Sequence, residues 1–146
     1  MDNKRLHERL AALKPSVLRG IRRGLEKESL RTRPDGSLAR TPHPAVLGSP
    51  LTHPCITTDF SEAQVEMVTG THTSAETTLA ELRHIHQEVC HALADAGDER
   101  LWVASMPCAL PSDENIPIGV YGTSHIGRSK SIYRMGLAHR YGRRMQ

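Results

Sequence analysis

Four acidic residues have the type and spacing to do chemistry. Glu26 and Glu28 stand two apart within Gly24-Leu25-Glu26-Lys27-Glu28-Ser29-Leu30-Arg31, a segment that reads as a strand. Side chains at i and i+2 of a strand leave the same face, about 7 Å apart along the chain. Two carboxylates so placed repel unless water or a cation screens them. Asp59 and Glu66 come from a second region. There Ile56-Thr57-Thr58-Asp59-Phe60 is β-branched, and Glu62, Gln64 and Glu66 alternate with Ala63, Val65 and Met67. That alternation predicts a strand with one acidic and one apolar face. Carboxylates from neighbouring strands suit a hard divalent cation such as Mg2+, which takes several oxygen ligands and cancels their repulsion. The same pattern also describes an acidic sheet face that meets only water. On spacing alone both readings stand.

The second charged feature lies near the end of the chain. No acidic residue follows Glu114, whereas Arg128, Lys130, Arg134, Arg140, Arg143 and Arg144 do. Following the flexible Tyr121-Gly122-Thr123-Ser124 loop, Arg128, Lys130 and Arg134 offer phosphate contacts; equally, the basic run describes a solvated helix face. Nucleic acid is a sharper rival, but binding single strands calls for aromatic side chains to stack bases, and neither Phe nor Trp lies near these arginines. Among the histidines, His84 and His86 diverge by about 200° on a helix and share no ligand. His91 falls on a face similar to that of His84, without a supporting carboxylate pattern. Cys108 has no histidine at a spacing that marks a nucleophile, and reads as packing.

The elements that position these groups follow from periodicity. Leu6, Leu10 and Leu13 predict a short amphipathic helix over residues 3–14, ended by Pro15. Pro34-Asp35-Gly36 is a turn signal, so a hairpin is expected: strand 24–32, turn, strand 37–41. Pro42, Pro44, Gly48, Pro50 and Pro54 predict an irregular loop over residues 42–54. Thr73-Ser74-Ala75-Glu76 reads as a capping box opening a helix over about 75–95, with Leu79, Leu82, Ile85, Val89 and Leu93 buried and Gly97 closing it. Leu101-Trp102-Val103-Ala104-Ser105-Met106 predicts a buried strand. Residues 107–130 read as loop, and a helix is expected from Ser131 onward with Tyr133, Leu137 and Tyr141 stacked.

The 146 residues fit one domain with a modest core. Only 3 % are aromatic, which is lean for a core that must stand alone. A net charge of +3 permits nucleic acid without implying it. No apolar run is long enough to span a bilayer, and Met1-Asp2-Asn3-Lys4-Arg5 does not read as a signal peptide. Cys55, Cys90 and Cys108 are odd in number and far apart, with no zinc spacing, which predicts a reduced, cytoplasmic protein. The chain stops at Met145-Gln146 within what reads as a helical pattern, so a truncation is expected.

Several long motifs carry a resemblance. The run Arg19-Gly20-Ile21-Arg22-Arg23-Gly24-Leu25-Glu26-Lys27-Glu28-Ser29-Leu30-Arg31 closely resembles the start of glutamate–cysteine ligase (γ-glutamylcysteine synthetase) of the proteobacterial type 1. So do Leu51-Thr52-His53, Ile56-Thr57-Thr58-Asp59-Phe60-Ser61-Glu62-Ala63 with Glu66, and Ser105-Met106-Pro107-Cys108. Tyr121-Gly122-Thr123-Ser124, Gly127-Arg128, Tyr133-Arg134, Gly136-Leu137 and Arg140-Tyr141-Gly142 complete the match, in order from about residue 17 to the end. The sequence departs from the family pattern at His125, where Asn is usual, at Cys55, and at Met67-Val68-Thr69-Gly70.

The resemblance implies an α+β fold, part of a glutamine-synthetase-like architecture, with an antiparallel sheet whose concave face holds metals and helices packed outside. It implies that residues 1–146 are the N-terminal portion of one catalytic domain: a fragment, a truncated gene product or one piece of a split enzyme. The implied reaction is ATP-dependent ligation of the L-glutamate γ-carboxyl to the L-cysteine amine through a γ-glutamyl phosphate, the first step of glutathione synthesis. ATP with Mg2+ or Mn2+ would be required. By the same resemblance Glu26, Glu28, Asp59 and Glu66 are metal ligands or their neighbours, and Phe60, Tyr133, Arg134 and Leu137 help line the cysteine pocket. Phe60 and Leu137 would meet the thiol side, and Arg134 a carboxylate. The chain alone is expected to be inactive without the remainder of the enzyme, and no membrane or nucleic-acid partner is expected. Two rivals remain: a basic, non-catalytic interaction module derived from such a ligase, and another carboxylate–amine ligase on the same fold.

Overall fold

A strand gains most when both neighbours present complementary pleats, and β1 (Glu26–Thr32) has such neighbours on both sides. The computed structural model describes residues 3–145. In chain order it contains α1 (Asn3–Ala11), β1, β2 (Ile56–Thr58), β3 (Gln64–Val68), α2 (Ala75–Gly97), β4 (Arg100–Leu101) and α3 (His125–Tyr141). The strands form one four-stranded sheet in the order β2-β3-β1-β4, antiparallel throughout. The chain is thus α+β.

The register decides which residues share a face. Glu28 of β1 lies directly opposite Glu66 of β3, and Ser29 opposite Val65. Thr57 of β2 lies on the other side of Glu66. Alternation then puts Glu26, Glu28, Glu66 and Thr57 on one face, and Val65, Met67 and Ile56 on the other. That second face is dry. Val65 and Met67 have no exposed surface, and they pack with Ile85, Val89, Ala92 and Leu93 of α2, with Leu47 and with Leu101. A second cluster gathers Leu30, Leu38, Ala63, Cys108 and Ile116.

α2 is held at both ends. Ser74 is the N-cap, its hydroxyl accepting from the Thr77 N–H, one residue later than the capping box predicts. Gly97 is the last helical residue; Asp98 takes the left-handed turn (φ 58°) and its N–H bonds back to Leu93 and Ala94. Just beyond, Glu99 reaches the wholly buried Arg31 of β1 at 2.6 Å. The Arg31 guanidinium also donates to the Thr41 side chain and carbonyl and to the Glu62 carbonyl, so one residue ties β1, α2 and two loops together.

Several expectations need correction. Residues 37–41 form no strand. Leu38 makes one bridge to Thr32 and Ser37 one to Ala109, because β3 and β4 already occupy the edges of β1. The buried strand over 101–106 ends at Leu101; Val103 and Met106 lie open to solvent and the chain turns away. On α2, Leu79 is exposed and Thr78 takes the buried position one residue before it. α3 starts at His125, six residues before the expected start, because Ser124 caps it through the Gly127 N–H. It ends at Tyr141, where Gly142 takes a positive φ of 79°. α1 ends at Ala11 and none of its residues is buried. Met1, Asp2 and Gln146, on which the expectations about the chain's ends partly rest, lie outside the described residues. Among the described residues no helix is long and apolar enough to cross a membrane.

Candidate functional site

Glu26 and Glu28 share one face of β1, as their spacing predicts, and Glu66 lies opposite Glu28. Glu26 and Glu28 are exposed on β1, Glu66 is half-buried on β3, and Asp59 follows the last residue of β2. Their charges act on one another. Partial desolvation holds the Glu28 carboxyl above the usual carboxylate range, and Asp59 and Glu26 push the same way. Glu66 is raised by desolvation first, then by Asp59, Glu26 and Glu28, with Arg134 opposing. Thus residues from β1, β3 and the end of β2 form one field of negative potential.

Two neighbours restrain that field. The Gln64 side-chain N–H donates to Glu28 at 2.8 Å, which partly offsets the upward shift of Glu28. Gln64 lies two residues before Glu66, on the same face of β3, so its proximity was readable from alternation. On the other flank, Arg134 of α3 is nearly buried. Its Nε–H donates to the Asp59 carbonyl, and its terminal nitrogen lies 3.5 Å from the Asp59 carboxylate. No periodicity links residues 59 and 134, and sequence reasoning missed this pair.

Hard oxygen donors under mutual repulsion are the right chemistry for a divalent cation. Among the described residues, however, no three His, Cys, Asp or Glu side chains stand close enough to hold a metal ion by themselves. The donor set therefore fits a hard cation in its chemistry, and by itself closes no coordination shell. The residues expected on the substrate side are more scattered. Phe60 is buried, Tyr133 is exposed, and Leu137 is half-buried one turn further along α3. Arg134 is bonded to the carboxylate side, through the carbonyl and the carboxylate of Asp59. Next to Glu28 and Gln64 lies a cavity of about 180 Å3, bounded on its far side by Trp102, Ser105 and Met106.

The chain is similar to proteins of known family. The family model for glutamate–cysteine ligase matches residues 8–146. The glutamate–cysteine ligase of Alcanivorax borkumensis is 51 % identical over 143 residues, covering 98 % of this chain and 27 % of that protein. The corresponding ligase of Azotobacter vinelandii is 55 % identical over 131 residues, covering 90 % and 24 %. A solved glutamate–cysteine ligase from Francisella tularensis, in complex with AMP, aligns over 84 % of this chain and 24 % of its own with a TM-score of 0.75 and 38 % identity. A bifunctional glutathione synthetase from Pasteurella multocida aligns over 64 % of this chain and 12 % of its own, with a TM-score of 0.60 and 44 % identity. The chain spans about a quarter of the length of the curated relatives it matches.

Proposed function

The chain belongs to the glutamate–cysteine ligase family, and on that premise we propose that residues 1–146 supply the carboxylate face and part of the cysteine side of one catalytic domain. The domain would join the γ-carboxyl of L-glutamate to the amine of L-cysteine with cleavage of ATP, opening glutathione synthesis. The observation that carries this reading is the opposition of Glu28 and Glu66, with Asp59 sharing their field, in a chain 51 % identical to a named ligase.

A carboxylate is a poor acyl donor because its leaving group would be oxide. Transfer of the ATP γ-phosphoryl group to the glutamate γ-carboxylate gives ADP and an acyl phosphate. The cysteine amine then attacks the carbonyl carbon, the C–O bond to phosphate breaks, inorganic phosphate leaves, and the amine nitrogen loses a proton. Negative charge on the transferring oxygens is what a bound Mg2+ or Mn2+ would offset, held in part by Glu26, Glu28, Asp59 and Glu66. The chain's own side chains have complementary roles. The carboxylates create the potential that draws a cation. Arg134 holds positive charge at the rim of that field, suited to a substrate carboxylate. Phe60 and Leu137 would offer apolar contact to a thiol side chain, and Tyr133 lies one turn before Leu137 on α3. A cytoplasmic setting suits the three free thiols, which stay reduced there.

The test is γ-glutamylcysteine formation from L-glutamate, L-cysteine, ATP and Mg2+. The chain is assayed alone, then mixed with a polypeptide holding the remaining three quarters of a family member. Activity only in the mixture is the expected outcome. Activity with other amines in place of cysteine would move the reading to a different carboxylate–amine ligase. Silence from both folded samples, with steeply salt-dependent binding to RNA or DNA, would replace it with a binding module.

A further inference from the structure

Tyr121 is 4 % exposed and stands where β2 meets α3. Its hydroxyl makes all its bonds to two consecutive residues. The proton is shared between the carbonyl oxygens of Thr58 (2.7 Å) and Asp59 (2.9 Å), and the oxygen accepts from the Thr58 hydroxyl (3.0 Å). The ring faces two cations of α3: Lys130 Nζ lies 5.1 Å and the Arg134 guanidinium carbon 5.0 Å from its centroid. Even its backbone is engaged. A Cβ on Gly127 would fall 2.2 Å from the Tyr121 carbonyl oxygen, so the first turn of α3 rests directly on Tyr121.

These contacts close a triangle. The Asp59 carbonyl that accepts from Tyr121 also accepts from Arg134 Nε, and Arg134 lies over the Tyr121 ring. We infer that Tyr121 is a positioning residue: it fixes the main chain of Asp59 and the guanidinium of Arg134 relative to each other, and so sets the spacing between the cation side and the substrate side of the site. The physical need is clear. Arginine has long, freely rotating bonds, and beside an acidic face its guanidinium would otherwise swing among several carboxylates. The aromatic face restrains its plane and position, and offsets the repulsion between Lys130 and Arg134 by attracting both. A tyrosine that only filled space would be equivalent to phenylalanine; here the hydroxyl bonds are confined to residues 58 and 59. The functional meaning of the triangle rests on the reading of Asp59 and Arg134 given above.

The experiment is amide and side-chain NMR on the full chain, comparing wild type with Tyr121→Phe and Tyr121→Leu. The Arg134 Nε–H signal is the primary readout, with the thermal midpoint measured in parallel. Tyr121→Phe is expected to keep the ring-induced shift of that signal and to speed its exchange with solvent about three- to tenfold, the size of one lost hydrogen bond. Tyr121→Leu is expected to abolish the shift and speed exchange more than tenfold. Both effects should exceed any fall in the thermal midpoint. An Arg134 signal within twofold of wild type in Tyr121→Phe, or one that changes only in proportion to global stability, overturns the proposal. If Tyr121→Leu does not fold, Tyr121→Phe decides. A second arm adds Mn2+ to the wild type. Paramagnetic broadening at Asp59 and Arg134 supports their placement beside a cation; its absence overturns the carboxylate-site reading, a failure separate from an unmoved Arg134 signal.

Discussion

Glu66 sits half-buried with Glu28 opposite and Asp59 nearby, so its ionised form is disfavoured in the folded chain. A carboxyl raised on folding holds its proton more tightly in the native state. Its contribution to stability is therefore fullest below its unfolded pKa, about 4.3, and is lost as pH rises through the folded value. Without divalent cations, Glu66→Gln is expected to stabilise the chain at pH 7 by on the order of 0.5 kcal/mol, discounted for solvent screening. The gain should vanish near pH 4. Thermal melts across that range check it, and Mg2+ should raise the wild-type midpoint more than the variant's. Arg31 has the opposite character. Replacing it with Met leaves Glu99 buried without its partner, and a loss of about 3–5 kcal/mol is expected in urea unfolding. The double variant Arg31→Met, Glu99→Met should recover much of that loss. At this scale the sequence was readable where spacing is local. Glu26, Glu28 and Glu66 follow from alternation along strands. The bonds of Arg134 and Tyr121 to Asp59 span 75 and 62 positions, and no periodicity encodes contacts of that separation.

Among the elements, α2 was the most legible. Its long stripe of Ile85, Val89 and Leu93 buries against Val65 and Met67, and a 3.6-residue period over that length has no competing explanation. The hairpin after β1 was misread because Pro34-Asp35-Gly36 does make a turn, yet pairing partners are decided elsewhere. β3 supplies a longer ladder to β1 than residues 37–41 do. The early start of α3 was hidden by Gly127 and by the polar residues of its first turns. Gly127 is there for closeness rather than freedom. Gly127→Ala is expected to push the first turn of α3 off Tyr121 and to loosen the grip of Arg134 on Asp59. Hydrogen exchange should report this as faster exchange confined to α3, with α2 unchanged.

Over the whole molecule, packing is uneven. α2 and the sheet share a dry core, whereas α1 buries nothing and α3 buries only Gly127 and Arg134. Leu6 and Leu10 of α1, and Ile126, Ile132 and Met135 of α3, lie at least half exposed. Deleting α1 is therefore expected to change unfolding free energy by less than about 0.5 kcal/mol in a urea titration. The exposed apolar faces predict binding of a hydrophobic dye by the wild type and concentration-dependent self-association in light scattering, both reduced by the deletion. The α+β class and the antiparallel sheet were implied by the family resemblance, and the acidic face by alternation along the strands. What the pattern could not supply was how much of each helix is covered, because burial depends on distant partners rather than on periodicity.

The separation of Asp59 from Arg134 also has a meaning in time. The two lie 75 positions apart in the chain. A ribosome adding roughly 5–20 residues per second makes the second about 4–15 s after the first. During that interval the carboxylates of β1 and β3 are already in the nascent chain while their guanidinium has yet to be made. Counter-charge before then comes from mobile cations and from lysines and arginines made earlier, Lys27 among them.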